Sequence, residues 1–153
     1  MNFANKTAVF LATGLYVGKV PLAPGTFGSL LGLPLCFLLD KIQLSAAIAA
    51  VLLIIALATW IADAAERILG RPDPGCIVID EIAGMAVTLI GLPFNPTTVA
   101  VGFILFRILD ILKPFPIRVI DKRLPGGLGI VADDVIAGIF SNFLLRILLF
   151  ILE

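Results

Sequence analysis

Residues 42–62 read IQLSAAIAAVLLIIALATWIA, a run without a charge that closes on Asp63, Glu66 and Arg67. A helix needs about 20 apolar residues to cross the ~30 Å hydrocarbon core of a bilayer. The run therefore predicts a transmembrane helix, extended by its flanks to residues 44–69. The rest of the chain agrees with that solvent. Of its 153 residues, 60% are hydrophobic and 14% charged, and the mean hydropathy is +1.13. A soluble domain is about half apolar and about a quarter charged. Residues 1–153 thus read as one membrane-embedded domain.

Proline and glycine divide the remaining apolar sequence into further helices. Residues 20–39 are uncharged, but Pro21, Pro24 and Gly25 break their start, which predicts a short helix from Phe27 to Asp40. Between residues 82 and 106, Gly91, Pro93, Asn95 and Pro96 signal a turn, giving helices over 78–92 and 97–113. A last helix is expected over 130–152 and a first over 5–18. Lys6 is the sole charge in residues 1–18, a composition shared with signal peptides. No small-x-small cleavage site accompanies it, so the segment is expected to stay in the mature chain. The expected fold is all-α: an integral membrane bundle of five to six short helices, some tilted or partly inserted.

Following these helices in turn places their ends. If 27–40 leaves one side, 44–69 returns to it, 78–92 leaves, 97–113 returns and 130–152 leaves. The starting side then holds Lys19, Arg67, Arg71, Asp73, Lys113, Arg118, Asp121, Lys122 and Arg123. The opposite turns, 40–43 and 93–96, are short and carry Asp40 and Lys41. By the positive-inside rule the charged side, and any polar site there, faces the cytoplasm.

Composition also excludes chemistry. There is no histidine, which removes Ser-His-Asp triads, phosphohistidine intermediates and His-ligated zinc. Cys36 and Cys76 share no metal spacing and read as small packing residues. Eleven basic residues balance eleven acidic ones, so nothing suggests a nucleic-acid partner. The eleven Phe, with Trp60 and Tyr16, read as lipid-facing or packing residues.

What remains is a set of carboxylates. Residues 77–84 read IVIDEIAG and residues 130–138 read IVADDVIAG. Each puts an acidic pair just inside a helix start, where the helix dipole favours negative charge. Each follows it with Ala-Gly, which lets another helix approach closely. Both helices run the same way, so Asp80-Glu81 and Asp133-Asp134 reach the same depth. Arg107, Asp110 and Lys113, three residues apart, share a face of a third helix. Carboxylates in a bilayer are costly, and several together repel. A divalent cation relieves both penalties, and oxygen-only ligands point to Mg²⁺, with Mn²⁺ the alternative. The bland reading is that Arg107, Lys113, Arg118 and Arg123 merely pair with these acids. Asp63, Glu66 and Arg67 read mainly as an interfacial, partly solvated face, with contact to the site the alternative. In Pro24-Gly25-Thr26-Phe27-Gly28-Ser29, Thr26 reads as an N-cap, and the free N–H groups there could take a phosphate.

Taken together, these segments resemble the phosphatidylglycerophosphatase A family. The resemblance rests on Pro24–Ser29, on Asp73 with Ile77–Glu81 and Gly84, and on Phe106–Asp110 with Lys113-Pro114. Pro116-Ile117-Arg118, Asp121, Gly126-Gly127, Gly129-Ile130 and Asp133-Asp134 with Ala137-Gly138 extend it, so that it spans residues 14–143. It implies a Mg²⁺-dependent enzyme of the bacterial inner membrane that takes the terminal phosphate from phosphatidylglycerophosphate to give phosphatidylglycerol. Some members carry a histidine after the aspartate matching Asp73. Here Pro74 stands there, which argues against a required imidazole.

The expected chemistry is metal-assisted hydrolysis of a phosphomonoester. Asp80, Glu81, Asp133 and Asp134 would hold one or two cations. Asp110 or Asp121 would serve as base or further ligand. Arg107 and Lys113 would neutralise phosphate charge, with Thr26, Ser29, Arg118 and Arg123 as further phosphate contacts. Direct attack by a carboxylate stays open. A CDP-alcohol phosphotransferase would need a D-x-x-D-G-x-x-A-R signature, which is absent. A small cation transporter is the non-enzyme alternative, although its acids should lie near mid-membrane.

Overall fold

The computed structural model describes residues 2–119 and 124–152. Its main helices are α1 (Phe3–Ala12), α2 (Pro24–Asp40), α3 (Leu44–Leu69), α4 (Ile79–Leu89), α5 (Pro96–Leu112) and α6 (Gly126–Leu152). A single 3-10 turn, Val17–Lys19, precedes α2. No strand occurs among the described residues. The fold is the expected all-α bundle, with α4 at its centre, packed by α2, α3, α5 and α6.

Among the described residues, two helices, Leu44–Leu69 and Gly126–Ile151, are long and apolar enough to cross a membrane. Within the most apolar stretch of α3 only 17% of residues are buried, which separates it from the core helix of a soluble protein. Small residues do the packing. Ala47, Val51, Ala58, Ala62 and Ala65 form the buried stripe of α3, while Leu52, Leu53, Leu57 and Trp60 remain exposed. Small faces inward and large apolar faces outward are what a lipid solvent selects, since burying Leu gains nothing there and close helix approach does.

The expected helix ends need four corrections. Helix α1 stops at Ala12 rather than running to residue 18, because Gly14, Leu15 and Tyr16 take left-handed φ values of 52, 58 and 69°. Its last carbonyl, Ala12 O, accepts from Val78 N at 2.9 Å, tying it to the start of α4. At 10 residues, about 15 Å long, α1 is too short to span. Helix α2 starts at Pro24, with Ala23 as its cap and no side-chain capping bond. Thr26 is therefore its third residue and not an N-cap. Proline suits the first helical position because its fixed φ fits and its missing N–H would be orphaned anyway. Helix α4 ends at Leu89, three residues early, where Ile90 turns extended and Gly91 takes φ 67°.

Helix α6 starts four residues early, at Gly126. Its cap comes from another helix: Gly127 N donates to Asp63 Oδ1 of α3 at 3.3 Å. A Cβ at Gly127 would collide with Thr59 O and the Asp63 backbone, so only glycine lets the two chains meet. Asp63 also pairs with Arg67. Part of the face read as solvated is thus a tertiary cap.

Helix α4 has 11 residues, about 16 Å, so its last carbonyls would lie unpaired in hydrocarbon. Asn142 and Arg146 of α6 satisfy them. Asn142 Nδ2 donates to Thr88 O at 2.9 Å and Ile90 O at 3.0 Å. Arg146 donates through Nε to Asn142 Oδ1 at 2.8 Å, and through Nη2 to Ile90 O and Gly91 O, both at 3.2 Å. We expect Asn142→Leu, which strips the donors and leaves the acceptors buried, to cost about 1–2 kcal/mol. Thermal denaturation in detergent checks this; a variant as stable as the parent would mean the cap is idle.

The two turns opposite the charged end lie together, as expected: Phe94 N donates to Asp40 Oδ1 at 3.4 Å and the Phe37 and Phe94 rings meet edge to face. The starts of α2, α4 and α6 and the ends of α3 and α5 therefore share the other end of the bundle.

Candidate active site

At that end the start of α2, the loop into α4, the end of α5 and α6 two turns past its start enclose a pocket of about 230 Å³. Its lining holds six carboxylates, Asp73, Asp80, Glu81, Asp110, Asp133 and Asp134, against two cations, Arg107 and Lys113. The excess of negative charge in so small a space calls for a counter-ion.

Glycines set the depth of the two acidic pairs. Gly84 follows Asp80 by four residues, and Gly138 follows Asp134 by four. A Cβ at Gly84 would lie 2.9 Å from Asp134 O, and one at Gly138 would lie 2.5 Å from Gly84 O. Helices α4 and α6 therefore run in parallel with their backbones touching, which brings Asp80 and Asp134 level. Asp80 and Glu81 sit in the first turn of α4, where the helix N-terminus favours them. Asp133 and Asp134 do not, because α6 begins seven residues before Asp133. Tertiary docking, and not the helix dipole, holds the second pair.

Asp80, Glu81 and Asp134 each offer an oxygen within 4.8 Å of the others, and so do Asp110, Asp133 and Asp134. Asp134 belongs to both groups. Asp80 Oδ1, Glu81 Oε2 and Asp134 Oδ2 are buried and have no hydrogen-bond partner. A buried carboxylate oxygen without a donor is costly. An all-oxygen set of this kind fits a hard divalent cation such as Mg²⁺, and the shared Asp134 leaves room for two.

The cations are held against this cluster. Arg107 Nη1 lies 2.5 Å from Asp110 Oδ2 and donates to Ser29 Oγ at 3.4 Å. Lys113 ends α5 in a left-handed conformation, φ 43°, and its Nζ lies 2.5 Å from Asp133 Oδ2. Gly25 packs on both sides of this charge: a Cβ there would collide with Glu81 and with the Arg107 guanidinium.

Not every expected residue joins the pocket. Ser29 is wholly buried, and its hydroxyl donates to Gly25 O at 2.8 Å while accepting from Arg107. Thr26 is half-buried and absent from the lining. Arg118 is exposed and also absent from it. Asp121, Lys122 and Arg123 lie outside the described residues. Asp73, whose role the sequence left open, does line the pocket. Its backbone is left-handed, φ 40°, and its N–H donates to Glu66 Oε1 at 3.1 Å. The signal for it was an aspartate between Pro72 and Pro74 on the charged side.

Exposed apolar side chains stand next in sequence to residues of the lining. Leu22 next to Ala23 is 77% exposed, and Leu112 and Phe115 on either side of Lys113 are 70% and 84% exposed. A charged pocket on a chain with exposed apolar residues beside its lining segments suits a ligand that is ionic at one end and greasy at the other.

Comparison with known proteins agrees. The family model described as Phosphatidylglycerophosphatase A matches residues 10–149. The chain is 41% identical over 132 residues to the Phosphatidylglycerophosphatase A of Escherichia coli K12, covering 86% of this chain and 77% of that one. It is 38% identical over 133 residues to the protein of the same name from Haemophilus influenzae Rd, covering 86% and 82%. A Bacteroides thetaiotaomicron protein, provisionally named phosphatidylinositol-3-phosphatase, is 37% identical over 147 residues, covering 91% of each. No solved structure matches the chain.

Proposed function

The chain belongs to the phosphatidylglycerophosphatase A family and is a phosphatase; on that premise we propose that it hydrolyses the terminal phosphomonoester of phosphatidylglycerophosphate, giving phosphatidylglycerol and phosphate. The observation that carries this reading is the pair of carboxylate groups sharing Asp134, set beside Arg107 and Lys113 in one pocket. In this reading Asp80, Glu81 and Asp134 would hold one Mg²⁺, and Asp110, Asp133 and Asp134 would hold a second. When bound, the cations supply Lewis-acid polarisation of the phosphoryl group.

The chain's own residues do the rest. Arg107 and Lys113 present N–H donors to the phosphoryl oxygens, where charge-assisted bonds are strongest. Asp110 and Asp133 hold those two side chains in place, so little reorganisation accompanies binding. Gly25 lets the start of α2 lie directly against Glu81 and the Arg107 guanidinium, where a side chain would collide with both. The exposed Leu22, Leu112 and Phe115 would meet the lipid, leaving the acyl chains in the bilayer while the head group bends inward. By the positive-inside rule, the excess of Lys and Arg at this end supports a pocket that faces the cytoplasm from a bacterial inner membrane. Carboxylates gathered at one end rather than at mid-membrane, and the family itself, set the transporter alternative aside.

The test is phosphate release by purified protein in detergent with Mg²⁺. We expect phosphatidylglycerophosphate to be hydrolysed at least about tenfold faster than phosphatidylinositol 3-phosphate, a gap of about 1.4 kcal/mol in the transition state. No release, or a preference for the inositol lipid, overturns the substrate assignment.

A further inference from the structure

A second cavity, of about 540 Å³, adjoins the carboxylate pocket. Asp73 and Ile130 line both and form the wall between them. Glu66, Arg67 and Arg71 also line it. Two of these are already engaged: Arg67 pairs with Asp63, and Glu66 accepts from the Asp73 N–H. Arg71 is exposed, and its side-chain contact is Cys76 Sγ at 3.9 Å, a weak acceptor. Among the described residues it has no carboxylate partner. A guanidinium left in that state at a cavity edge is suited to an anion with two oxygens in one plane.

Volume and charge argue for the same ligand. The carboxylate pocket, at about 230 Å³, is smaller than the ~300–1,000 Å³ typical of ligand sites. It takes one phosphoryl group and its cations. The substrate class proposed above carries a second phosphate, a glycerol phosphodiester, a few bonds away. That group is a monoanion and needs no metal, only a cation within reach of the first site. We infer that the second cavity holds the head-group phosphodiester, with Arg71 as its cationic contact and Ile130 against its carbon atoms. This deepens the phosphatase reading and rests on it. A phosphatidylinositol phosphate has the same diester, so Arg71 recognises the diester and not the alcohol beyond it.

The purified protein in detergent tests this, with phosphatidylglycerol formation as the readout and two inhibitors. Glycerophosphoglycerol carries the diester without the monoester. Inorganic phosphate probes the carboxylate pocket alone. Arg71→Ala should weaken inhibition by glycerophosphoglycerol about tenfold and shift that by inorganic phosphate by less than about twofold. Arg71→Glu should weaken the first further, and Arg71→Lys should fall between parent and Arg71→Ala, since charge survives and the fork does not. Unchanged inhibition in both Arg71→Ala and Arg71→Glu overturns the inference. So does an equal shift for both inhibitors, or a parent that glycerophosphoglycerol does not inhibit. A parent that makes no phosphatidylglycerol fails the phosphatase reading and this inference with it. An active parent whose inhibition ignores Arg71 fails this inference alone.

Discussion

Asp134→Asn is expected to lower kcat by about 10³-fold or more, with the protein still folded. Asp134 is the member common to both carboxylate groups, so its loss strikes both proposed cation sites at once. Asparagine keeps the shape and one oxygen but removes the charge. It also relieves repulsion in a largely buried cluster of five acids, so the apo protein should be no less stable than its parent. Chelating divalent cations from the parent should reduce turnover to the same level, and Mg²⁺ should restore the parent but not the variant. The measurement is phosphate release beside thermal denaturation in detergent, each with and without Mg²⁺. A variant that keeps a tenth of parental turnover, or a parent indifferent to chelation, would mean that the carboxylates are an ion-pair network and not a cation site.

The second large effect is at the helix crossing. Gly138→Ala pits two rules against each other. Helix propensity alone favours alanine by about 1 kcal/mol. Packing opposes it: the new Cβ would stand 2.5 Å from Gly84 O and 3.0 Å from Val87 Cβ. A backbone carbonyl in the neighbouring helix cannot swing aside, so the helices must separate. Overpacking of this kind costs about 1–3 kcal/mol, and Gly138→Val should cost about 3 kcal/mol or more. Separation also draws Asp134 away from Asp80 and Glu81, so turnover should fall along with stability. Melting temperatures of the parent, Gly138→Ala and Gly138→Val in the same detergent decide it. A rise for Gly138→Ala would show that propensity wins and that α4 and α6 do not touch as described.

Much of the site was legible because its signals are local. Asp80-Glu81 and Asp133-Asp134 announce themselves by matching Ala-Gly sequels, and Arg107, Asp110 and Lys113 by a spacing of three. Once each helix is assigned a direction, their common end follows. Other parts were not legible because their partners are distant in sequence. Asp63 looked like a solvated helix end, but it caps Gly127, 64 residues away. Arg146 carried no motif, but with Asn142 it closes α4 across more than 50 residues. Ser29 looked available to a phosphate, but α2 packs so closely on α4 that its hydroxyl is wholly buried.

By itself the sequence determined the solvent, the helices and which helix ends share a side. Those properties follow from the length and polarity of single segments, since every uncharged run must either cross the bilayer or leave it. Only the tertiary structure decided where α1, α2, α4 and α6 begin or end, that Asp134 lies in two carboxylate groups at once, and that Asp73 and Ile130 divide two cavities. Each of those depends on how near two backbones come. That distance is set by glycines meeting carbonyls across helices, a property of pairs of segments that neither segment carries alone.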